Sequence, residues 1–260
     1  MFKQWQTFQA ALIFYSCIPL RPSGNLDFRG IAVYAPIVGI LIGLLLGAID
    51  WGLGWLVGTH SLLRAGLVTF AGVLLTGGLH LDGAMDTADG LAVTDRSRRL
   101  AVMVDSTTGA YGAIAAIAIL LLKVLAIAEL SDYRLWILIS ISAWGRWGQL
   151  RAIAAYPYLK PEGKGKFHRD SIQAWQVWLL GILLTLGSFG LGGIFVFGFG
   201  MKPMLFSFIL KLTPICFGFA WLVGAWFNRQ LGGHTGDTYG ATVEWAETLS
   251  LCAIALTQFV

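Results

Sequence analysis

The chain has 260 residues, of which 57% are hydrophobic and only 12% are charged, and its formal net charge is +4. Soluble domains carry about a quarter charged residues, so this composition excludes an ordinary soluble enzyme and favours an integral membrane protein. No basic stripe or nucleic-acid motif accompanies the positive charge. We therefore expect a lipid bilayer, and no nucleic acid, as the large partner of the chain.

The first predicted element is a short apolar stretch at 2–20, which we expect to be an interfacial helix or the first part of the domain. Windows of about twenty apolar residues then predict seven membrane spans. They lie near 32–57, 62–79, 110–130, 135–155, 175–199, 205–227 and 241–259. No tandem repeat or long polar linker interrupts this series. The sequence thus predicts an all-α, polytopic membrane helical bundle of about seven transmembrane helices plus short interfacial helices, forming a single domain over 1–260.

Basic loop residues are distributed unevenly between the two faces that alternating spans would create. One face receives most of them, whereas the other receives only Arg64, Arg134 and Lys202. By the positive-inside rule the basic face is cytoplasmic. The loops at 80–109, 156–174 and 228–240, which hold nearly all the unusual polar residues, lie on this face. We therefore expect an active site that faces the cytoplasm.

Three aspartates lie in the stretch GGLHLDGAMDTADG at 77–90, directly after a predicted span. In a helix, Asp82, Asp86 and Asp89 share a stripe about 60° wide. Like charges so close at a membrane edge are costly without a cation, and carboxylate oxygens are ligands that Mg²⁺ prefers. A solvated helix face is the alternative interpretation. His80 lies on another face, where it is expected to support the site rather than to bind metal.

Two further segments on the same face carry polar groups suited to a metal and a phosphate. Asp105 and Ser106, before the span at 110, offer a carboxylate and a hydroxyl group. The loop at 157–170 contains cations that could hold a diphosphate, although a positive-inside loop would look similar. These cations include Lys160, Lys164 and Lys166.

The segment GGHTGDTYGATVEWAE begins the last predicted span and carries three acids, Asp237, Glu244 and Glu247. Asp237 and Glu244 are seven residues apart and share a helix face. Acids inside a membrane helix are costly, so they indicate a functional site. The alternative is that Glu244 or Glu247 pairs with a buried arginine, such as Arg146 or Arg151.

Taken together, these motifs resemble the cobalamin synthase family, the adenosylcobinamide-GDP ribazoletransferases. The matching stretches are GGLHLDGAMDTADG at 77–90, DSTTGAYG at 105–112, YLKPEGKGKF at 158–167, GGHTGDTYGATVE at 232–244 and the opening FYSCIPLRPS. They cover nearly the whole chain in the expected order. The chain departs from the family pattern at Val104 and Thr107, where basic residues are usual, and at Lys160, where arginine is usual. The resemblance therefore does not identify which cations contact the diphosphate.

The resemblance implies a bacterial inner-membrane enzyme of the last step of coenzyme B12 assembly. It would transfer the adenosylcobinamide-phosphate group from its GDP-activated form to α-ribazole or α-ribazole 5′-phosphate, releasing GMP and requiring Mg²⁺. The implied catalytic residues are Asp82, Asp86, Asp89, Asp105 and Asp237. The expected metal ligands are Asp82, Asp86, Asp89, Asp237 and Glu244. The expected substrate-binding residues are His80, Ser106, Lys160, Lys164, Lys166, Gly233, Thr235 and Gly236.

Two other functions compete with this one. The stretch DTADG at 86–90 matches the start of the CDP-alcohol phosphotransferase signature, but Val93 and Thr94 replace its Ala-Arg pair. An ion-coupled transporter would also need acids in the membrane, yet it should show inverted repeats or interrupted helices near the bilayer midplane. The glycine-rich spans permit close helix contacts within one chain or between chains, which is compatible with a homo-oligomer.

Overall fold

The computed structural model describes residues 2–22, 24, 26–58, 61–105, 107–160, 169–200 and 203–257. Within these ranges the regular structure is helical, apart from one isolated bridge between Tyr158 and His234. The helices are α1 Phe2–Tyr15, α2 Ala35–Val57, α3 Leu62–Thr76, α4 Leu79–Ala92, α5 Arg99–Val102, α6 Ala110–Glu129, α7 Arg134–Ala155, α8 Ala174–Gly193, α9 Met204–Leu231 and α10 Gly236–Thr257. The all-α prediction is confirmed. The first helix, α1, packs into the core through Ala10, Ala11 and Tyr15.

Four stretches of the described chain are long and apolar enough to cross a membrane. They are Ile31–Val57, Ala110–Glu129, Ala174–Gly198 and Met204–Leu231, and a fifth is possible if α3 and α4 form one bent span. The helices α7 and α10 have 22 residues each, which is about 33 Å and sufficient to span. Both carry charged residues, so composition alone does not identify them as spans. The chain is a membrane protein, and the count of seven spans stays a prediction.

Helix α7 occupies the centre of the bundle and is buried over most of its length from Ile141 to Ile153. It packs against α2, α9 and α10. At Gly39 and Gly43 of α2, an added Cβ atom would collide with the α7 backbone at Ser142 and Ile139. These glycines therefore let the backbones of α2 and α7 approach each other closely, as small residues do in membrane bundles.

A buried ion cluster joins four helices at the other end of α2. The Asp50 carboxylate accepts hydrogen bonds from the guanidinium groups of Arg64 on α3 and Arg134 on α7. Arg134 also donates to the carbonyl oxygens of Ile127 and Leu130, at 2.7 and 2.9 Å, where α6 ends. These bonds pair both arginines with Asp50 and provide donors for the carbonyl groups at the end of α6. The cluster therefore fixes the relative positions of α2, α3, α6 and α7.

Helices α3 and α4 meet at an angle of 91°. The turn between them is Gly77-Gly78, whose φ angles of 61° and 70° lie in the left-handed region that favours glycine. The chain therefore does not continue along α3 but turns sharply into the helix that carries the three aspartates. Because α4 runs across the direction of α3, it is not one of the four long apolar stretches named above.

Candidate active site

Two glycines bring the acidic helix α4 against the first turns of α10. An added Cβ at Gly83 would lie 2.6 Å from the carbonyl oxygen of Asp237, and one at Gly240 would lie 3.0 Å from the carbonyl oxygen of His80. The two helices thus touch backbone to backbone, which only glycine permits. This crossing unites the aspartates near position 82 with Asp237, more than 150 residues away in sequence.

Replacement of Gly83 by alanine tests this crossing. We expect the new methyl group to push α10 away, to destabilise the fold by about 1–3 kcal/mol and to displace Asp237 from the other aspartates. Thermal unfolding and the catalytic assay described below measure the two effects. Gly187→Ala is the matched control, because a Cβ there meets nothing within 4 Å. Normal activity and stability of Gly83→Ala would contradict the assembly of the site through this contact.

The α4 helix confirms that Asp82, Asp86 and Asp89 stand on one face. Burial, followed by the negative charges of Asp82, Asp237 and Asp89, raises the pKa of Asp86 to about 6, and the positive charge of Lys160 opposes this rise only in part. Within the described residues, Asp82 and Asp86 make no side-chain hydrogen bond or ion pair. These two carboxylates thus stand close together without a protein cation to neutralise both.

Asp89 is held differently from the other two aspartates of α4. Its two carboxylate oxygens accept hydrogen bonds from the backbone N–H groups of Gly109 and Gly112, each at 2.8 Å. These groups begin α6, whose positive end favours a carboxylate. A Cβ at either glycine would collide with the Asp89 carboxylate. The two glycines in DSTTGAYG are therefore spaced so that the Asp89 carboxylate of α4 can cap the start of α6.

Asp89→Asn should lower the stability of the fold by about 1–3 kcal/mol, because the amide nitrogen would face one of the two backbone donors. We expect a lower temperature of thermal unfolding together with reduced turnover. Asp95→Asn is the control, since Asp95 is exposed and bonds only locally to Ser97. An unchanged unfolding temperature for Asp89→Asn would show that the cap contributes little.

Asp237 occupies the first turn of α10, where its charge suits the helix dipole. One of its oxygens, Oδ2, accepts hydrogen bonds from Lys160 Nζ at 3.0 Å and from the Thr235 hydroxyl at 3.2 Å. Thr235 also accepts a bond from the Thr238 N–H and so caps the helix. The other oxygen, Oδ1, makes no hydrogen bond within the described part of the chain. Hydrogen bonds to Oδ2 therefore hold the Asp237 side chain in place, and its Oδ1 is available to a ligand.

The loop that carries Lys160 is tied to the start of α10. Leu159 N–H donates to the His234 carbonyl at 2.9 Å, and His234 N–H donates to the Pro157 carbonyl at 2.8 Å. Gly233 allows this approach, because a Cβ there would lie 2.6 Å from the Pro157 oxygen. Gly233, which is predicted to bind substrate, thus shapes the loop that brings Lys160 to Asp237.

A cavity of about 330 Å³ opens beside these residues. Its lining includes the predicted residues His80, Asp82, Lys160, Gly236 and Asp237. Burial lowers the pKa of His80 to about 3, so its ring is neutral. The structure therefore brings together a carboxylate from α4, a carboxylate from α10 and the loop cation around one concave space, which is the usual form of a ligand site.

Two predicted site residues, Asp105 and Glu244, do not line this cavity. Asp105 is exposed and accepts hydrogen bonds from the backbone N–H and hydroxyl of Thr107. Ser106, Lys164 and Lys166 lie outside the described residues. Glu244 lines a different cavity, so the structure does not bring it to the aspartates.

Glu244 belongs instead to a second buried ion cluster. Lys123 Nζ on α6 lies 2.7 Å from the carboxylates of both Glu244 and Glu247, and Arg146 on α7 lies 2.9 Å from Glu247. The alternative interpretation, in which Glu247 pairs with a buried arginine such as Arg146, is the one that the structure shows. Two cations and two anions balance one another here, so the cluster needs no metal ion and links α6, α7 and α10.

Sequence reasoning missed part of the cavity wall. Tyr15, Gln149, Tyr158 and Tyr239 also line it, although no pattern distinguishes them in a chain so rich in aromatic residues. His234 was likewise given no part. Its ring bonds to Thr238 and to the Gly224 carbonyl and stacks between tyrosines, so it is a structural residue of the α9–α10 turn.

The aspartates fit Mg²⁺ by the chemistry of their donors. In the described part of the chain, no group of three or more His, Cys, Asp or Glu side chains could hold an ion by itself. Mg²⁺, however, is commonly held by one or two carboxylates while waters and substrate phosphates complete its shell. Asp82, Asp86 and Asp237 supply such oxygens where negative charge is in excess.

Comparison with known proteins identifies the family of the chain. The family model for cobalamin-5-phosphate synthase matches residues 7–255. A protein of Trichormus variabilis named adenosylcobinamide-GDP ribazoletransferase is 49% identical over 247 residues, which is 95% of each chain. A relative with the same name from Synechocystis sp. is 48% identical, and the match covers 95% of this chain and 93% of the relative. Another from Synechococcus sp. is 45% identical, and the match covers 98% of each chain. No solved structure matches. The chain thus belongs to the cobalamin-5-phosphate synthase family.

Proposed function

We propose that this protein is an adenosylcobinamide-GDP ribazoletransferase. It would transfer the adenosylcobinamide-phosphate group from adenosylcobinamide-GDP to α-ribazole or its 5′-phosphate, with release of GMP. The observation that carries this proposal is the meeting of the Asp82 and Asp86 face of α4 with Asp237 and Lys160 beside one cavity. Family membership supplies the identity of the substrates, and the geometry supplies groups suited to displacement at phosphorus.

In this proposal Asp82 and Asp86 would hold Mg²⁺ together with the diphosphate of the substrate, and Asp237 lies beside them. The ion would offset negative charge on the phosphorus oxygens and on the departing GMP. Asp89 does not need to contact the ion. Its bonds to the start of α6 fix the rotation of α4, which keeps Asp82 in the cavity wall and Asp86 near Asp82 and Asp237.

The remaining residues of the site would orient the groups that react. A ribose hydroxyl attacks the phosphorus of the adenosylcobinamide phosphate, and the bond from that phosphorus to the GMP oxygen breaks. The open Oδ1 of Asp237 is placed to accept the proton of the hydroxyl, since Lys160 and Thr235 occupy Oδ2. Lys160 provides positive charge at the same point, where it can contact a phosphate.

We propose further that the site faces the cytoplasm of a bacterial inner membrane. When the seven predicted spans alternate sides, the aspartates and Lys160 fall on the face that carries most of the basic loop residues, among them Arg96, Arg98 and Arg99. Charged nucleotide substrates would reach this face without crossing the bilayer. Labelling of single introduced cysteines by an impermeant reagent in intact cells would test the orientation.

The test of the function is release of GMP by purified protein in nanodiscs. We expect release only when adenosylcobinamide-GDP, α-ribazole and Mg²⁺ are all present, and loss of release in EDTA. Transfer of a CDP-linked alcohol with release of CMP, or cation flux in liposomes without nucleotide release, would instead indicate one of the two competing functions. Absence of GMP release under all conditions would contradict the proposal.

A further inference from the structure

An apolar groove lies between α4, α9 and α10, and its lining residues differ from those of the cavity described above. Its volume of about 560 Å³ is within the range of small-molecule sites. The buried side chains of Ala84, Val223 and Phe227 lie in its wall, whereas Leu222 at its edge is 60% exposed. None of the described residues that line it is charged, and the hydroxyl of Thr87 is bonded to the α4 backbone. The groove therefore suits a hydrocarbon chain.

Helix α4 has opposite faces toward the groove and toward the acids. Ala84, Ala88 and Leu91 line the groove at i, i+4 and i+7 spacing. At roughly 100° per residue, this stripe lies on the side of α4 opposite to the three aspartates. The facing wall includes part of Met204–Leu231, one of the stretches that are long and apolar enough to cross a membrane. The acyl chains of a bilayer can therefore reach the groove, while the charged face of α4 lies on the other side.

Arg99 lies at one end of the groove, where α4 and α9 both end. Its Nε donates a hydrogen bond to the carbonyl oxygen of Val93 at 3.0 Å, and its Nη1 donates to that of Gln230 at 3.2 Å. Val93 directly follows α4, and Gln230 lies in the last turn of α9. These bonds hold the guanidinium group between the two helix ends. In the part of the chain that the structure describes, its Nη2 has no such bond, so this nitrogen is available to a ligand.

Arg229 adds a second positive charge at this end of the groove. It is exposed in the last turn of α9 and follows the groove residue Trp226 by three positions, so the two side chains are neighbours on the helix surface. Among the described residues it has no ion-pair partner. The loop after α4 adds the exposed Arg96 and Arg98 against one acid, Asp95. An apolar groove thus ends in an excess of positive charge, beside a half-exposed tryptophan of the kind that lies at the level of lipid headgroups.

We propose that the groove binds one anionic phospholipid of the surrounding bilayer. An acyl chain lies between α4 and α9, and the headgroup phosphate contacts Arg99 and Arg229. The apolar wall and the positive end match the two parts of such a lipid, whereas an uncharged hydrocarbon would leave both arginines without a partner. Basic side chains at a membrane surface each add to the affinity for anionic lipid. This site does not depend on the proposed transferase activity.

Arg229→Gln tests the headgroup contact, and it should leave the unfolding temperature unchanged because Arg229 is exposed. In native mass spectrometry we expect the wild type to retain one phosphatidylglycerol and the variant to bind it about 5-fold more weakly, the effect of one basic side chain. Lys211→Gln is the matched control, because Lys211 is exposed on the same helix, about 27 Å toward its other end. Equal phosphatidylglycerol affinity in the wild type and Arg229→Gln, or an equal loss in Lys211→Gln, would overturn the proposal.

Leu222→Trp tests the groove itself, because the larger side chain narrows it from its exposed edge. We expect weaker binding of phosphatidylglycerol, whereas Leu210→Trp should bind it normally, since Leu210 is 57% exposed on the same helix but lies outside the groove. Unchanged binding by Leu222→Trp would contradict the assignment. Displacement of the lipid by adenosylcobinamide-GDP would also contradict it, by assigning the groove to a substrate. A dimer that dissociates in Leu222→Trp would instead assign the groove to a second copy of the chain.

Discussion

Asp86→Asn is expected to reduce Mg²⁺-dependent GMP release by at least about 100-fold, the effect of losing one preorganised group that stabilises charge in a transition state. Asp86 is surrounded by Asp82, Asp89 and Asp237, and Asn keeps its shape while it removes the charge that attracts the ion. Asp82→Asn should have a similar effect. Release of GMP by purified variants in nanodiscs, followed against Mg²⁺ concentration, measures the loss.

Loss of activity in Asp86→Asn should not come from misfolding. The variant relieves repulsion among neighbouring carboxylates, so without metal its unfolding temperature should equal or exceed that of the wild type. Mg²⁺ should stabilise the wild type more than the variant. Asp95→Asn, an exposed change in the loop after α4, should leave turnover unaltered. Wild-type rates in both Asp86→Asn and Asp82→Asn would contradict the proposed metal site.

Lys123→Met should lower the free energy of unfolding by about 3–5 kcal/mol, the cost of breaking a buried ion pair from one side. Lys123 is the shared partner of Glu244 and Glu247, and all three side chains are nearly buried. Without Lys123, two buried carboxylates retain only Arg146. Unfolding of the purified protein in mixed micelles of increasing SDS content measures the loss.

The double variant Lys123→Met/Glu244→Gln should recover most of that stability. It leaves Glu247 paired with Arg146, so the buried charges balance again. If the double variant is stable and releases GMP, Glu244 is a structural residue rather than a metal ligand. A stable double variant that has lost its Mg²⁺ response would return Glu244 to the metal site. No recovery at all would contradict charge balance as the reason for the cluster.

Much of the architecture could be predicted because membrane helices have strong local signals. Apolar length gave the helices close to their observed bounds, and the spacing of Asp82, Asp86 and Asp89 predicted the helix that became α4. The resemblance to the cobalamin synthase family identified the two segments, 77–90 and 232–244, that meet in the folded chain. Charge provided the remaining clue, since Asp237 at the start of a helix has few structural reasons to be there except as a cap or a ligand.

The rest depended on contacts between distant residues, which local patterns do not encode. Asp89 and Glu244 look like ligands in sequence, but the first is held by the backbone of Gly109 and Gly112 and the second by Lys123. Gln149 and Tyr239 look like ordinary core residues, because only the folded chain shows that they line a cavity.

The cluster around Lys123 also imposes an order on biosynthesis. Lys123 enters the membrane with α6, but its partners Glu244 and Glu247 are 121 and 124 residues later in the chain. A nascent chain therefore carries an unpaired cation in α6 until the final helix emerges from the ribosome, and unpaired charge in a bilayer is costly. The last helix thus completes the insertion of the middle of the protein as well as the active site, and a chain that stops before α10 is expected to be recognised as incomplete and degraded.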